Sequence, residues 1–138
     1  MRSVLVGFDG SASSEAALRF AADLARHFEA DLHVLTVVRP PDFGDEVETE
    51  ALLERSQEHA ALLLAGLPAR LGNITLHASS EVGHPAEKLV HYAERHHVDH
   101  LVVGHRGHSM LDRWLIGSVA RRVVVHAPCA VTVVRPPA

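Results

Sequence analysis

Three glycines and a serine near the end of the chain have a spacing that suits a phosphate-binding loop. Gly104, Gly107, Gly117 and Ser118 fall within fifteen residues, although the whole chain has only nine glycines. Glycine has no Cβ atom, so ligand oxygens can approach backbone N–H groups, and positive φ angles carry no strain. A helical pattern opens at Ser118, and the free N–H groups of a helix N-terminus favour an anion. The pattern predicts a polyphosphate site; glycines that only shape a loop and tighten helix packing are the alternative.

The common nucleotide-binding motifs do not fit this chain. A Walker loop needs Gly-Lys-Ser/Thr, whereas the single lysine, Lys88, lies in a helical segment away from any glycine-rich loop. A Rossmann fingerprint needs G-x-G-x-x-G after the first strand, whereas that stretch reads GFDG around Asp9. We therefore expect backbone N–H groups, the Ser118 hydroxyl and Arg106 to hold the phosphates, with Mg²⁺ or Mn²⁺ bridging the phosphate oxygens.

Twelve histidines are the second chemical feature of the sequence. His96, His97 and His100 form an HHxxH cluster, but the helical pattern ends between them, so a solvated turn is favoured over a metal site. His105 and His108 lie in the glycine loop. If protonated, they would add positive charge beside the phosphates, and nucleotide affinity would rise as the pH falls from about 8 to about 6. The alternative is two exposed histidines without a role.

Short runs rich in valine and leucine alternate with amphipathic helical patterns. Such runs are typical of parallel strands that are covered on both faces. Strands are predicted over residues 3–9, 31–38, 74–80, 100–105 and 130–135, and helices over residues 13–28, 48–71, 84–97 and 118–126. The alternation predicts an α/β fold with a doubly wound, open, five-stranded parallel sheet in the order 3-2-1-4-5 and helices on both faces. In that order the first and fourth strands end side by side at the switch point, where ligands bind.

Length and composition indicate one soluble domain. The 138 residues are expected to form a single domain, residues 1–138, that buries about two-thirds of its unfolded surface. The net charge of −4 argues against capture of nucleic acid or of an anionic membrane surface. No apolar run is long enough to cross a membrane, and the N-terminus lacks the pattern of a signal peptide. Because the lone Cys129 excludes an internal disulfide, we expect a cytoplasmic protein.

The glycine pattern, written G-x2-G-x9-G-S, resembles the ATP-binding motif of the universal stress protein family. The resemblance covers essentially the whole chain: VLVGFDGSASSEAAL resembles the family's first strand and turn, GHPAEKLV the start of its third helix, and VVVHAPCAVTVVR its closing segment. The chain departs from the family where His105 and His108 follow glycines of the motif, and where Ala130 stands in place of a common second proline. None of these changes interrupts the glycine spacing.

The resemblance implies a role for each residue of the pattern. Asp9 would contact the adenosine moiety, and Val37 would meet adenine through its main chain and apolar surface. The phosphates would be wrapped by Gly104, Gly107, Gly117, Ser118 and the N–H group of Val119. Family members commonly dimerise through the last strand, so the segment between Ala130 and Arg135 would pair antiparallel with its copy and cover an apolar edge.

Together these inferences predict a cytoplasmic, homodimeric, ATP-binding stress-response regulator whose nucleotide sets its conformation or its choice of partner. Catalysis beyond slow hydrolysis or autophosphorylation is not expected, since no general base with an attacking water is evident. Two alternatives stay open. One is an adenylate-forming enzyme like the nucleotide α-hydrolases, although DGSASS stands where they carry a Ser-Gly-Gly loop. The other is a nucleotide-free dimeric interaction module, against which the intact glycine motif argues.

Overall fold

Strands and helices alternate along the chain in the computed structural model, which describes residues 1–41, 45–106 and 116–136. The strands are β1 (Ser3–Gly7), β2 (Asp31–Val38), β3 (Leu76–Val82), β4 (His100–Gly104) and β5 (Ala130–Val134). The helices are α1 (Ala12–Phe28), α2 (Glu46–Ala65), α3 (Leu67–Leu71), α4 (Pro85–Arg95) and α5 (Ser118–His126). All neighbouring strands are parallel, in the order β3-β2-β1-β4-β5. The predicted fold class and strand order are confirmed.

Successive residues of the central strand supply two hydrophobic cores, one on each face of the sheet. Val4 and Val6 of β1 pack against α1 on one face, whereas Leu5 points to the opposite face. There it joins Leu89 of α4 and Val123 of α5. Side chains of a strand alternate between faces, so a strand that is covered on both sides must be apolar at consecutive positions. This explains the short, continuous valine and leucine runs.

The helix predicted over residues 48–71 is in fact two helices. α2 ends at Ala65, and α3 begins at Leu67 with Pro68 in its first turn. Proline has no N–H group to donate, and its ring clashes with the carbonyl group four residues earlier, so a continuous helix through Pro68 is disfavoured. The third strand also begins two residues later than predicted, at Leu76, where it pairs with Leu32 of β2.

Helix α2 covers β2 and β3 only loosely. Ala60 is the single fully buried residue among its 20, and Leu62 is 74% exposed. Within the described ranges no helix, α2 included, has both the length and the apolar character needed to cross a membrane. The loose packing leaves room for a cleft between α2 and the ends of the strands.

β4 ends in direct contact with the first turn of α1. A Cβ atom built on Gly104 would lie 2.5 Å from Ser13 Oγ and 2.8 Å from the carbonyl carbon and oxygen of Ser13. The Ser13 hydroxyl also accepts a hydrogen bond from the backbone N–H of Arg106 at 3.1 Å. Gly104 therefore has a packing reason to be glycine that does not depend on a ligand: without a side chain there, α1 can lie against the end of β4.

We expect Gly104→Ala to lower the free energy of unfolding by about 1–3 kcal/mol, the usual cost of overpacking, because the added methyl group meets backbone atoms that cannot rotate away. Gly66→Ala is the matched control, since the nearest atom to a Cβ there lies at 3.8 Å and φ is −79°. This control should leave stability unchanged or slightly higher. Urea unfolding followed by circular dichroism measures both. Wild-type stability in Gly104→Ala would contradict the packing explanation.

Candidate functional site

A cleft of about 790 Å³ lies at the carboxyl ends of β1, β2 and β4. The strand order reverses between β1 and β4, so the cleft is at the switch point, where doubly wound sheets bind their ligands. Seven of the residues predicted to bind nucleotide line it: Asp9, Val37, Gly104, Arg106, Gly117, Ser118 and Val119. The eighth, Gly107, lies outside the described residues, as does His108. The structure thus brings the described part of the predicted set together, and the role of each residue in binding stays a prediction.

Hydrogen bonds fix the position of Asp9 at the end of β1. The Asp9 Oδ1 atom accepts from the backbone N–H of Ser11 at 2.9 Å, and the backbone N–H of Asp9 donates to Ser14 Oγ at 3.2 Å. The preceding residue, Phe8, is held on both sides: its N–H donates to the Leu35 carbonyl at 3.0 Å, and its carbonyl accepts from Thr36 Oγ1 at 2.7 Å. The half-buried Asp9 carboxylate is therefore presented from a rigid turn.

The N-terminus of α5 opens onto the cleft. Gly117 is the cap residue, with φ −63° and ψ 158°, and its own N–H donates to the His105 carbonyl at 2.9 Å. Glycine has no side chain with which to cap the helix, so the N–H groups of Ser118 and Val119 in the first turn remain available to a ligand. Ser118 is exposed and is the first helical residue, so its hydroxyl group does not occupy the cap position.

One wall of the cleft was not predicted from the sequence. Arg55, Ser56, His59 and Leu63 of α2 line it, and Arg39 lies at the end of β2. The four α2 residues follow the i, i+1, i+4, i+8 spacing of one helix face, so the signal was present in the sequence. Leucines elsewhere on α2 obscured it. Three of these five side chains carry or can carry positive charge.

The described lining of the cleft is positively charged, although the protein is acidic. Its arginines are Arg39, Arg55 and Arg106, and its one carboxylate is Asp9, whereas the whole chain has a net charge of −4. The Nη1 atom of Arg106 is buried and has no hydrogen-bond partner among the described residues. A buried guanidinium nitrogen without a partner leaves a strong donor unsatisfied. The cleft is therefore suited to an anion.

His105 is buried, which contradicts the alternative that it is an exposed histidine without a role. The residue is 2% exposed, and its backbone N–H donates to the Val134 carbonyl at 2.8 Å. The Nε2 atom of its ring has no hydrogen-bond partner among the described residues. Burial lowers the pKa of His105, and the nearby Arg135 and Arg106 lower it further. The neutral form of this imidazole is thus favoured over the protonated form more strongly than in a free histidine. This shift argues against His105 as a source of added positive charge in acid, whereas the pH dependence of nucleotide affinity stays a prediction.

These features define a doubly wound α/β protein with a positively lined cleft at its switch point. The model of the universal stress protein family matches residues 1–135. The chain therefore belongs to the universal stress protein family. Universal stress protein MJ0531 of Methanocaldococcus jannaschii is 33% identical over 143 residues, which cover 99% of this chain and 83% of the relative. Universal stress protein YxiE of Bacillus subtilis is 33% identical over 153 residues, covering 96% of this chain and 97% of the relative.

Solved structures of the family have the same fold. Universal stress protein UspA from Lactobacillus plantarum is 28% identical, with a TM-score of 0.89 over 97% of both chains. A universal stress protein in complex with cAMP is also 28% identical, with a TM-score of 0.67 over 99% of this chain and 98% of the other. A family protein from Arabidopsis thaliana with AMP bound has a TM-score of 0.70 over 100% and 94% of the two chains; at 19% identity this likeness concerns the fold alone.

The buried His105 is expected to make the folded state sensitive to acid. Its folded pKa lies below the value of about 6.5 that an imidazole has in an unfolded chain, so the unfolded state binds more protons as the pH falls. Stability should therefore be constant above about pH 7.5 and decrease below about pH 6.5, by at most about 1.4 kcal/mol per pH unit for this histidine. Chemical denaturation between about pH 8 and about pH 5 measures the change.

The variant His105→Gln carries a neutral polar side chain and should lose less stability than the wild type over that pH range. Part of the dependence will remain, because burial also lowers the pKa values of His33 and His100. His126→Ala, which removes an exposed histidine of α5, should keep the wild-type dependence. An unaltered pH dependence in His105→Gln would show that burial of this ring does not set the acid sensitivity.

Proposed function

We propose that this chain is a cytoplasmic regulatory protein of the stress response that binds ATP in the cleft, and that the bound nucleotide sets its conformation or its choice of partner. One observation carries the proposal: in a protein of net charge −4, the described cleft lining has three arginines and one carboxylate and surrounds the start of a helix. This arrangement selects a polyanion. The family membership supports the same conclusion.

The phosphate end of the site is at α5. A helix N-terminus carries about half a positive charge, and its first N–H groups donate directly to phosphate oxygens. In this proposal Gly117, Ser118 and the N–H group of Val119 hold the phosphates, and Gly104 and Gly107 complete the loop. Because Arg106 has a buried nitrogen without a partner among the described residues, it is suited to donate to a phosphate oxygen.

The adenosine end of the site is at β1 and β2. Val37 and Leu89 line the cleft with apolar side chains, on which a purine ring can pack. The Asp9 carboxylate is an acceptor for ribose hydroxyls or for the adenine amino group. The cAMP complex of a universal stress protein that is 28% identical to this chain supports an adenine nucleotide as the ligand.

We propose binding rather than rapid turnover. Mg²⁺ needs several oxygen ligands, and the described lining offers one carboxylate, so Mg²⁺ or Mn²⁺ would be held through the phosphates. Asp9 is assigned to adenosine in this proposal, and no other carboxylate among the described lining residues is present to activate water. Hydrolysis, if it occurs, would be slow.

The nucleotide proposal predicts one ATP per chain in calorimetry with Mg²⁺. Gly117→Val should weaken binding by at least about tenfold, because a branched side chain would stand where the phosphates approach the helix; its φ of −63° suits any residue, so the fold should persist. Ser118→Ala should weaken binding about three- to tenfold, the effect of one lost hydrogen bond. Arg19→Ala, which removes an exposed arginine of α1 outside the cleft, is the control.

Acid release of nucleotide from freshly purified protein provides a second readout. Adenine nucleotide in the supernatant is expected. If the chain takes up no nucleotide, the proposal fails and the nucleotide-free interaction module replaces it. If Gly117→Val binds ATP as the wild type does, the assignment of the phosphates to the start of α5 is wrong. If ATP is consumed with release of pyrophosphate, the adenylate-forming alternative replaces it.

We further propose a homodimer through β5. This strand is at the edge of the sheet, with β4 as its only neighbour among the described strands, and its residues are half-buried or exposed. An apolar strand with an open edge pairs readily with a second copy. Val124 and Val125 of α5 are 52% and 68% exposed, so α5 also carries apolar surface that a second copy could cover.

Light scattering should give twice the chain mass of 15.0 kDa. The Val134 carbonyl accepts from His105, so the backbone groups of the preceding residue, Val133, face the open edge. Val133→Pro removes that outward N–H group, and prolines are tolerated on edge strands whose N–H faces solvent. The variant should be a folded monomer by circular dichroism and light scattering. A monomeric wild type, or a dimeric Val133→Pro, would contradict dimerisation through β5.

A further inference from the structure

Three side chains that can ligate a metal lie together near the amino end of β2. They are Asp31, His33 and His77, and one potential ligand atom from each lies within 4.8 Å of the other two. His77 Nε2 is 3.0 Å from Asp31 Oδ2. The rings of His33 and His77 stack, with centroids 4.6 Å apart. This group, called here the β2–β3 cluster, has no part in the proposed nucleotide site.

Strand register explains why the cluster forms. His33 of β2 and His77 of β3 are direct partners in the parallel ladder, so their side chains stand next to each other on one face of the sheet. Asp31 precedes His33 by two residues, and residues two apart on a strand share a face. A backbone ladder therefore holds the three side chains side by side, although His77 is 44 positions after His33 in the sequence.

Helix α4 closes the inner side of the β2–β3 cluster. Tyr92 Oη is 2.6 Å from His33 Nδ1, and the His96 ring stacks on Tyr92 with centroids 4.1 Å apart. The His96 centroid is also 5.6 Å from that of His33. His33 is buried, which lowers its pKa to about 4, with further contributions from His77 and His96. The outer side is open, since the side chains of His77 and Asp31 are each 48% exposed.

We propose that Asp31, His33 and His77 bind one Zn²⁺ ion per chain. Imidazole nitrogens and a carboxylate oxygen are ligands that Zn²⁺ takes at about 2.0–2.2 Å in a tetrahedral site, which puts ligand atoms about 3.3 Å apart. The three ligand atoms now lie within 4.8 Å of one another, so zinc binding requires any two of them to approach by about 1.5 Å at most. Water fills the fourth position. Mg²⁺ and Ca²⁺ prefer all-oxygen ligands and do not suit this set.

Tyr92 supplies the support that zinc-binding histidines usually have. A metal-ligating imidazole generally donates its second N–H to a neighbouring oxygen, which fixes the tautomer and the ring orientation. The 2.6 Å contact between His33 Nδ1 and Tyr92 Oη provides such an oxygen. With Nδ1–H donating to Tyr92, the lone pair of His33 is on Nε2. His96 packs on the other side of Tyr92 and holds the phenol ring in place.

The zinc site is independent of the nucleotide site. The residues of β2 that line the cleft begin at Leu35, and neither Asp31 nor His33 is among them. Zinc binding can therefore be measured without nucleotide, and failure of the ATP proposal would leave this one standing.

The test is calorimetric titration of Zn²⁺ into the full chain without an affinity tag, after chelator treatment and in the absence of nucleotide. One site per chain is expected. His77→Phe keeps a flat ring to stack on His33 but removes the ligand nitrogen, and Asp31→Asn keeps the shape of the carboxylate. Each should weaken Zn²⁺ binding by at least about tenfold, as loss of a ligand or of its support does. Mg²⁺ at the same concentration should not bind.

His126→Ala is the matched control, because it removes an exposed histidine of α5 outside the cluster. It should bind Zn²⁺ as the wild type does. Thermal melts in chelator should show all variants folded, and Zn²⁺ should raise the melting temperature of the wild type and of His126→Ala only. The proposal is overturned if the wild type binds no Zn²⁺, if His77→Phe binds it equally well, or if His126→Ala loses as much affinity as His77→Phe.

Discussion

The contact between the end of β4 and the first turn of α1 fixes the positions of the elements that line the cleft. Because Gly104 has no side chain, Ser13 lies against its backbone and accepts a hydrogen bond from the Arg106 N–H. Between these two residues, His105 joins β5 through its N–H and Gly117 through its carbonyl. Three consecutive residues therefore connect α1, the edge strand and the start of α5. Packing against Ser13 requires a glycine at Gly104 whether or not a ligand binds, whereas Gly117, at the cap of α5, has a φ of −63° that suits any residue.

The parts of the fold that depend on local pattern could be predicted from the sequence. Alternating valine runs and helical stripes determine the sheet and its order, and that order brings Asp9 and Gly117 to one cleft. The break before Pro68 was visible in the sequence but was outweighed by the leucines around it. The cleft-lining face of α2 was not predicted for a similar reason. Arg55 and His59 are one turn apart and share a helix face, but the leucines of α2 led to its interpretation as a core helix.

The histidines could not be interpreted from the sequence, because their environments depend on long-range contacts. His105 was expected either beside the phosphates or in solvent, but it is buried, and its backbone groups bond to β5 and to the start of α5. His96 lies in an exposed turn directly after α4, as expected, but its ring also stacks on Tyr92 beside His33, which the sequence did not indicate. The pairing of His33 with His77 follows from strand register, which no local spacing reveals. Residue type indicates what a histidine can do, and the tertiary structure determines which of these properties is used.

The two ends of the strands in a parallel sheet differ in electrostatic character. This chain has side chains that can bind an anion at the carboxyl ends and side chains that can bind a cation near the amino ends. α1 and α5 begin at the carboxyl ends of the strands, where helix N-termini contribute about half a positive charge each. α4 ends at the amino ends of the strands, with His96 as its C-cap beside Tyr92. A helix C-terminus contributes about half a negative charge there. This polarity supports the proposal of an anion in the cleft and of a cation at the β2–β3 cluster. Because every strand–helix–strand unit runs in the same direction, the fold's connectivity places helix N-termini at one end of the sheet and helix C-termini at the other. The side chains at each end then determine which ion can bind there.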